Sequence, residues 1–267
     1  MLTTAIDIMT KRIAAILAEN APSILLYGSV PLDDFRPGWS DIDLMVLTRQ
    51  AISPAQAAEL VTLRQTLAAE HPENPFFRCF EGGMLCLEGF LSSQEDTVVY
   101  WGTSGQRVDT RYRCDSFSML ELCQHSRLLW GEDIRPQLPT PRREDLVAGV
   151  AAHLATIRRH AQKTSASLHS FGWLLDIARC LYTLRTGGIA AKTQAGQWAL
   201  EQHLCPIPDA LKATLSARQD PAAALDDPQL MALAGSLGPD IQRFADVLEA
   251  ALRRNMIDLS SAAHGGF

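Results

Sequence analysis

The sequence predicts a two-part protein, an α/β domain over residues 1–141 followed by an all-helical domain over residues 142–267. Three observations carry this reading. Short apolar runs alternate with helical patterns up to about residue 140, strand-like composition then stops, and five segments with helical spacing follow. Hydrophobic residues make up 47% of the 267, which is ample for real cores.

The elements follow in order. Residues 3–19 place Ile6, Met9, Ile13, Ile16 and Leu17 at helical spacing, so an amphipathic helix opens the chain. Residues 24–27, ILLY, are too short and too apolar for anything but a buried strand, and Gly28-Ser29 ends it. A polar loop with Pro31, Pro37 and Gly38 leads to a second strand over Asp41–Thr48, and Ser53-Pro54 opens a helix reaching about His71. MLCLEGFL at 84–91 predicts a third strand and VVYWG at 98–102 a fourth. A helix over 116–127 runs into LLWG, a further strand. QLPTPRRED, rich in proline and charge, marks the change of domain, and helices are expected over 143–162, 168–186, 193–204, 207–217 and 238–256.

Charge and cysteine usage narrow the function classes. The net charge is −6, and the 24 basic residues are scattered apart from pairs such as Arg142-Arg143 and Arg158-Arg159, which argues against a nucleic-acid partner. The six cysteines form no CxxC pair and no ligand spacing with the seven histidines, so they read as small buried apolar residues. Asp7, Lys11 and Arg12 interrupt the N-terminal apolar pattern, unlike a signal peptide, and no run of 18 apolar residues occurs elsewhere. The expectation is a cytoplasmic protein with no membrane partner. The apolar stripe of the last helix fits burial within the chain or against a second copy, so monomer and homodimer both stay open.

SDIDLMVL, within residues 40–47, carries the chemistry. Side chains on a strand alternate, so Asp41 and Asp43 share one face a few ångströms apart. Two like charges about 5 Å apart at an effective dielectric near 20 repel by about 3 kcal/mol. A bound divalent cation offsets that cost, and Mg²⁺ couples one or two carboxylates to substrate phosphates. Gly28 and Ser29, separated from the pair by a loop of eleven residues, offer backbone N–H groups and a hydroxyl at a turn where no Cβ blocks a phosphate. The plainer reading is a surface strand with an ordinary turn. Either half alone fits it, but both halves in this order and spacing favour an anion site beside a metal site.

LYGSVPLDDFRPGWSDIDLMVL at 26–47 resembles the signature of the nucleotidyltransferase superfamily related to DNA polymerase β, hG[GS] followed after about 7 to 13 residues by Dh[DE]h. Within it, the chain is most similar to the aminoglycoside adenylyltransferases that modify streptomycin and spectinomycin. ARCLYTLRTGGIAAKTQAGQWAL at 178–200 is similar to a helical-domain segment of that family, with Arg179 and Lys192 thirteen residues apart as in the family.

The resemblance implies a catalytic domain with a mixed β-sheet and a C-terminal helical bundle. It also implies a reaction: Mg²⁺-dependent transfer of AMP from the co-substrate ATP to a hydroxyl of a small molecule, plausibly an aminoglycoside or aminocyclitol. By the same resemblance Gly28 and Ser29 contact phosphate, Asp41 and Asp43 hold the metal, Arg179 and Lys192 reach the triphosphate, and a third carboxylate on a neighbouring strand is the base. Glu88, inside MLCLEGFL, is the first candidate, because an acid in so apolar a strand has a raised pKa; Glu81 and Asp96 are the alternatives.

Other residues read more plainly. Asp33 and Asp34 are expected to cap or face solvent, His169 to cap a helix or face solvent, and Tyr182 and Trp198 to join the core. Family members that bind streptomycin recruit acids just before the segment holding Arg179. Here that place reads TSASLHSFGW, and no acid occurs between Gln162 and Asp176, which points away from a polycationic acceptor. Two other functions remain in view, a nucleotidyltransferase acting on a protein or RNA, and a nucleotide sensor without catalysis.

Overall fold

The N-terminal amphipathic pattern becomes α1 (Leu2–Ile16), which buries Ala5, Met9 and Ile13. α2 (Pro54–Glu70) starts where Ser53 and Gln56 cap each other: the Gln56 N–H donates to the Ser53 hydroxyl at 3.3 Å, and the Ser53 N–H to the Gln56 side chain at 3.0 Å. The computed structural model describes residues 1–102 and 105–264. The chain divides into two units, Met1–Asp33 with Asp41–Thr140, and Asp34–Ser40 with the chain from Pro141 onward.

The first unit is built on six strands: β1 (Ser23–Tyr27), β2 (Ile42–Thr48), β3 (Phe80–Cys86), β4 (Val98–Gly102), β5 (Gly105–Asp109) and β6 (Arg127–Trp130). Their order is β5-β4-β3-β2-β1-β6. β2 and β3 pair parallel, whereas the other neighbours pair antiparallel, so the sheet is mixed as the resemblance implies. Alternation along the strands sends Leu25, Tyr27, Met45, Leu47 and Leu85 into one apolar cluster with Leu87 and Phe90 of α3 (Leu87–Ser92) and Leu122 of α4 (Ser116–Gln124). On α2, the Leu60 carbonyl accepts a hydrogen bond from the buried Trp101 indole at 3.0 Å.

The expected third strand is displaced. β3 occupies Phe80–Cys86, and Leu87–Ser92 is helical. Two physical reasons account for the shift. Leu87, Phe90 and Leu91 lie at i, i+3 and i+4, the spacing of a helix face rather than a strand. Gly82 and Gly83 belong to the strand, and their neighbours leave no room for a side chain. A Cβ on Gly82 would collide with the Leu44 carbonyl, and one on Gly83 would lie within 2.5 Å of the Tyr112 ring. β5, GQRVD, has no expectation to match: it is polar, partly exposed and carries one valine.

The second unit comprises α5 (Arg143–His160), α6 (Leu168–Thr186), α7 (Lys192–Glu201), α8 (Pro208–Gln219), α9 (Pro221–Leu225), α10 (Pro228–Ser236) and α11 (Gly238–His264). α6 is its centre, with Phe171, Leu174, Leu175 and Ala178 fully buried. It stops at Gly187, whose φ of +74° is the left-handed cap that glycine adopts without a steric penalty. Gly196 sets the close packing of α7, since an added Cβ would lie 2.9 Å from Leu215 and 3.0 Å from Leu175. Both α9 and α10 begin with Asp-Pro, the aspartate accepting backbone N–H bonds and the proline occupying the first turn.

No disulfide joins the six cysteines. Among the described residues, no helix is long and apolar enough to cross a membrane.

Candidate active site

Strand register assembles the site. β1 runs antiparallel to β2 with Tyr27 opposite Asp43, so the end of β1 lies beside the start of β2. β3 runs parallel to β2 with Glu81 opposite Asp43. Registered partners project to the same face, so Tyr27, Asp43 and Glu81 line up at one end of the strands, with Gly28 directly after β1 and Asp41 directly before β2.

Gly28 has φ +73°, and a Cβ there would overlap the Oδ2 of Asp43. Both the backbone conformation and the space therefore require glycine. The Ser29 hydroxyl donates to the Asp41 carbonyl at 3.3 Å, fastening the turn after β1 to the residue that precedes β2. Gly28 and Ser29 are thus neighbours in space of Asp41 and Asp43.

Glu81 is half-buried, and its carboxyl is pushed up to about 7. Burial is the main cause and the negative charge of Asp41 adds to it, while Arg64 pulls the other way. Arg64 reaches from α2 and donates to the Phe80 carbonyl at 2.7 Å, beside Glu81 in the chain. The Tyr27 phenol is raised by burial, then by Tyr112 and by the charge of Asp43. The charges of Asp41 and Asp43 are thus felt by both Glu81 and Tyr27 at this end of the strands.

Glu88 is elsewhere. β3 runs from Phe80 to Cys86, so Asp43 and Glu81 stand at one end of the strands and Glu88 follows the other end, exposed in the first turn of α3. The strand environment expected for it belongs to Glu81. Asp96 is occupied structurally, accepting the N–H groups of Cys86 at 3.3 Å and Thr97 at 2.7 Å. The sequence signal for Glu81 is its place in FEGG, where an acid enters a strand next to two residues without side chains.

In the second unit, Trp173, Asp176, Arg179 and Tyr182 form a half-buried stripe at three-residue intervals along α6. Lys192 opens α7, and its Nζ lies 3.0 Å from Asp176 Oδ1. Burial works to raise the Asp176 pKa, but Lys192 and then Arg179 outweigh it and hold the carboxyl below its usual range. Tyr182 and Trp198 meet edge to face with ring centroids 5.3 Å apart, half-buried rather than in the core. His169 is exposed and packs edge-on against Trp173 at 5.1 Å.

Among the described residues, no three His, Cys, Asp or Glu side chains are grouped as a metal cage. Of the aspartate pair, Asp41 is exposed and Asp43 half-buried.

Residues 139–237 match the family model described as "Aminoglycoside adenylyltransferase, C-terminal domain". No curated protein matches the sequence. Among solved structures, the spectinomycin adenyltransferase AAD(9) from Enterococcus faecialis, determined with ATP and spectinomycin, is similar with a TM-score of 0.65. The two share 13% identity, and the match covers 93% of this chain and 100% of that one. The chain has the fold of that adenyltransferase structure, and within its helical unit residues 139–237 are similar to the C-terminal domain of the aminoglycoside adenylyltransferases.

Proposed function

We propose that this protein is a Mg²⁺-dependent adenylyltransferase that moves AMP from ATP to a hydroxyl of an aminocyclitol or aminoglycoside. The observation that supports this best is the meeting of Gly28, Asp41, Asp43 and Glu81 at one end of the strands, with Gly28 pressed against Asp43.

The two aspartates suit Mg²⁺, whose role would be to neutralise triphosphate charge as pyrophosphate leaves. The remaining work falls to the chain. Gly28 leaves the turn open for phosphate to approach the main chain, and Ser29 adds a hydroxyl there. Glu81 takes the proton of the acceptor hydroxyl as that oxygen bonds to the α-phosphorus and pyrophosphate departs. A carboxyl near pH 7 is suited to that exchange. Arg179 and Lys192 are assigned to the triphosphate on the family pattern.

The acceptor follows from the acids of the helical unit. Asp176 already faces Lys192, and the TSASLHSFGW stretch supplies no other carboxylate. A polyguanidinium drug finds little counter-charge there, so acceptors with fewer cationic groups are favoured. The test is pyrophosphate release from ATP and Mg²⁺ across streptomycin, spectinomycin and a neutral aminocyclitol. Release with spectinomycin or the neutral compound and not with streptomycin is expected. Release with streptomycin alone overturns the acceptor assignment, and silence with all three overturns the reaction.

A further inference from the structure

The loop between the two halves of the motif contains a buried charge that the chemistry above does not use. Asp34 is 3% exposed and Arg218, on α8, is 2% exposed. Arg218 Nη2 donates to the Asp34 carboxylate at 2.9 Å and to its carbonyl at 3.1 Å, and Nε donates to the same carboxylate at 3.3 Å. Thr193 completes the set. Its N–H donates to Asp34 Oδ2 at 3.2 Å, its hydroxyl donates to Oδ1, and that hydroxyl oxygen accepts from Arg218 Nε at 3.2 Å. Arg36 stands 3.5 Å from the carboxylate, and the Trp39 ring lies 5.3 Å from the Arg218 guanidinium carbon.

Two features set this cluster apart from an ordinary buried ion pair. First, α7 has no capping side chain of its own, since Ala191 stands at its N-cap; the Asp34 carboxylate, far away in sequence, supplies the acceptor for the second residue of the helix. A carboxylate at a helix N-terminus satisfies an otherwise orphaned N–H and complements the dipole. That helix begins with Lys192. Second, residues 34–40 cluster with the helical unit, and the next residue is Asp41. One carboxylate thus holds the start of the Lys192 helix and the segment that feeds the aspartate pair.

We propose that Asp34, Thr193 and Arg218 form a positioning device for the transfer reaction, a single buried clamp that fixes Lys192 at the start of α7. The inference rests on the reaction proposed above. Its chemical logic is geometric: phosphoryl-type transfer depends on alignment, and displacement by about 1 Å costs on the order of a hundredfold in rate.

The test uses the full chain with Thr193→Val, Arg218→Met and Arg218→Lys, recording kcat and KM separately, thermal unfolding, and hydrogen exchange. Thr193→Val removes the hydroxyl but keeps the ion pair, so it should fold and lose about tenfold or more in kcat per folded molecule, with acceptor KM changed by less than about twofold. Arg218→Lys, which keeps a cation against Asp34, should retain more kcat than Arg218→Met. Variants whose kcat per folded molecule stays within about twofold of the native chain overturn the inference, because a purely structural clamp changes only the folded fraction. If the native chain releases no pyrophosphate, the functional reading fails, and the clamp is judged by exchange at Ala195, whose N–H donates to the Ala191 carbonyl at 2.8 Å in the first turn of α7. Faster exchange there in Thr193→Val supports the clamp, and unchanged protection overturns it.

Discussion

Glu81→Gln should lower turnover by about a hundredfold or more while leaving ATP binding largely intact, because general-base removal costs about 10² to 10⁴ and Gln keeps the side chain's shape. Glu88→Gln, on the exposed turn of α3, should stay within about twofold of the native rate. Pyrophosphate release and calorimetric ATP titration on both variants decide the matter, and an inactive Glu88→Gln with an active Glu81→Gln would reverse the assignment.

The same substitution has a stability signature. The folded-state pKa of Glu81, about 7, lies above the ordinary carboxylate value. Its contribution to stability is therefore fully present below the unfolded pKa and lost as pH rises through about 7. Above that point the folded protein must hold a charge that is partly buried and repelled by Asp41, and Gln removes it. Glu81→Gln should accordingly melt higher than the native chain at pH 8 and at nearly the same temperature at pH 4. A gain of stability with loss of turnover is the behaviour of a residue kept for function.

Gly28→Ala should be the second severe change. The left-handed backbone costs a non-glycine residue about 1–2 kcal/mol, and the new methyl would overlap the Asp43 carboxylate. Either the turn moves or Asp43 does, and both spoil the alignment of phosphate and metal ligands. Turnover should fall about a hundredfold, with a drop in melting temperature of only about 2–8 °C. Gly38→Ala is the control: that glycine also has positive φ, +80°, but an added Cβ meets nothing within 4 Å. A Gly28→Ala protein with native turnover would remove the turn from the site.

Much of this was legible from residue types. Gly-Ser and Asp-x-Asp read as spatial neighbours because their spacing places two strand ends together, and the register of Tyr27 with Asp43 sets those ends side by side. The placement of Glu81 beside Asp43 was not legible in the same way. Choosing between Glu81 and Glu88 requires knowing where β3 begins, and Gly82-Gly83 disguises the start of the strand as a turn. Only Leu44 and Tyr112, remote in sequence, explain why glycine belongs there. The edge strand β5 escaped for a related reason, since it is held by pairing to β4 and not by its own apolar pattern. The burial of Asp34 was equally invisible, because its partners Thr193 and Arg218 lie more than 150 residues away.

That last arrangement bears on how the protein can be divided. The bundle that starts at Pro141 is not a contiguous segment, for it borrows seven residues from the middle of the other half. A fragment cut at the boundary between the halves would carry Arg218 with no counter-ion and an uncapped α7. Stripping one partner from a buried pair costs about 3–5 kcal/mol, a large share of the 5–15 that hold a typical domain together. Chimeras that exchange the C-terminal half with a relative's must therefore bring the matching loop along, so recombination at residue 140 alone yields unstable hybrids.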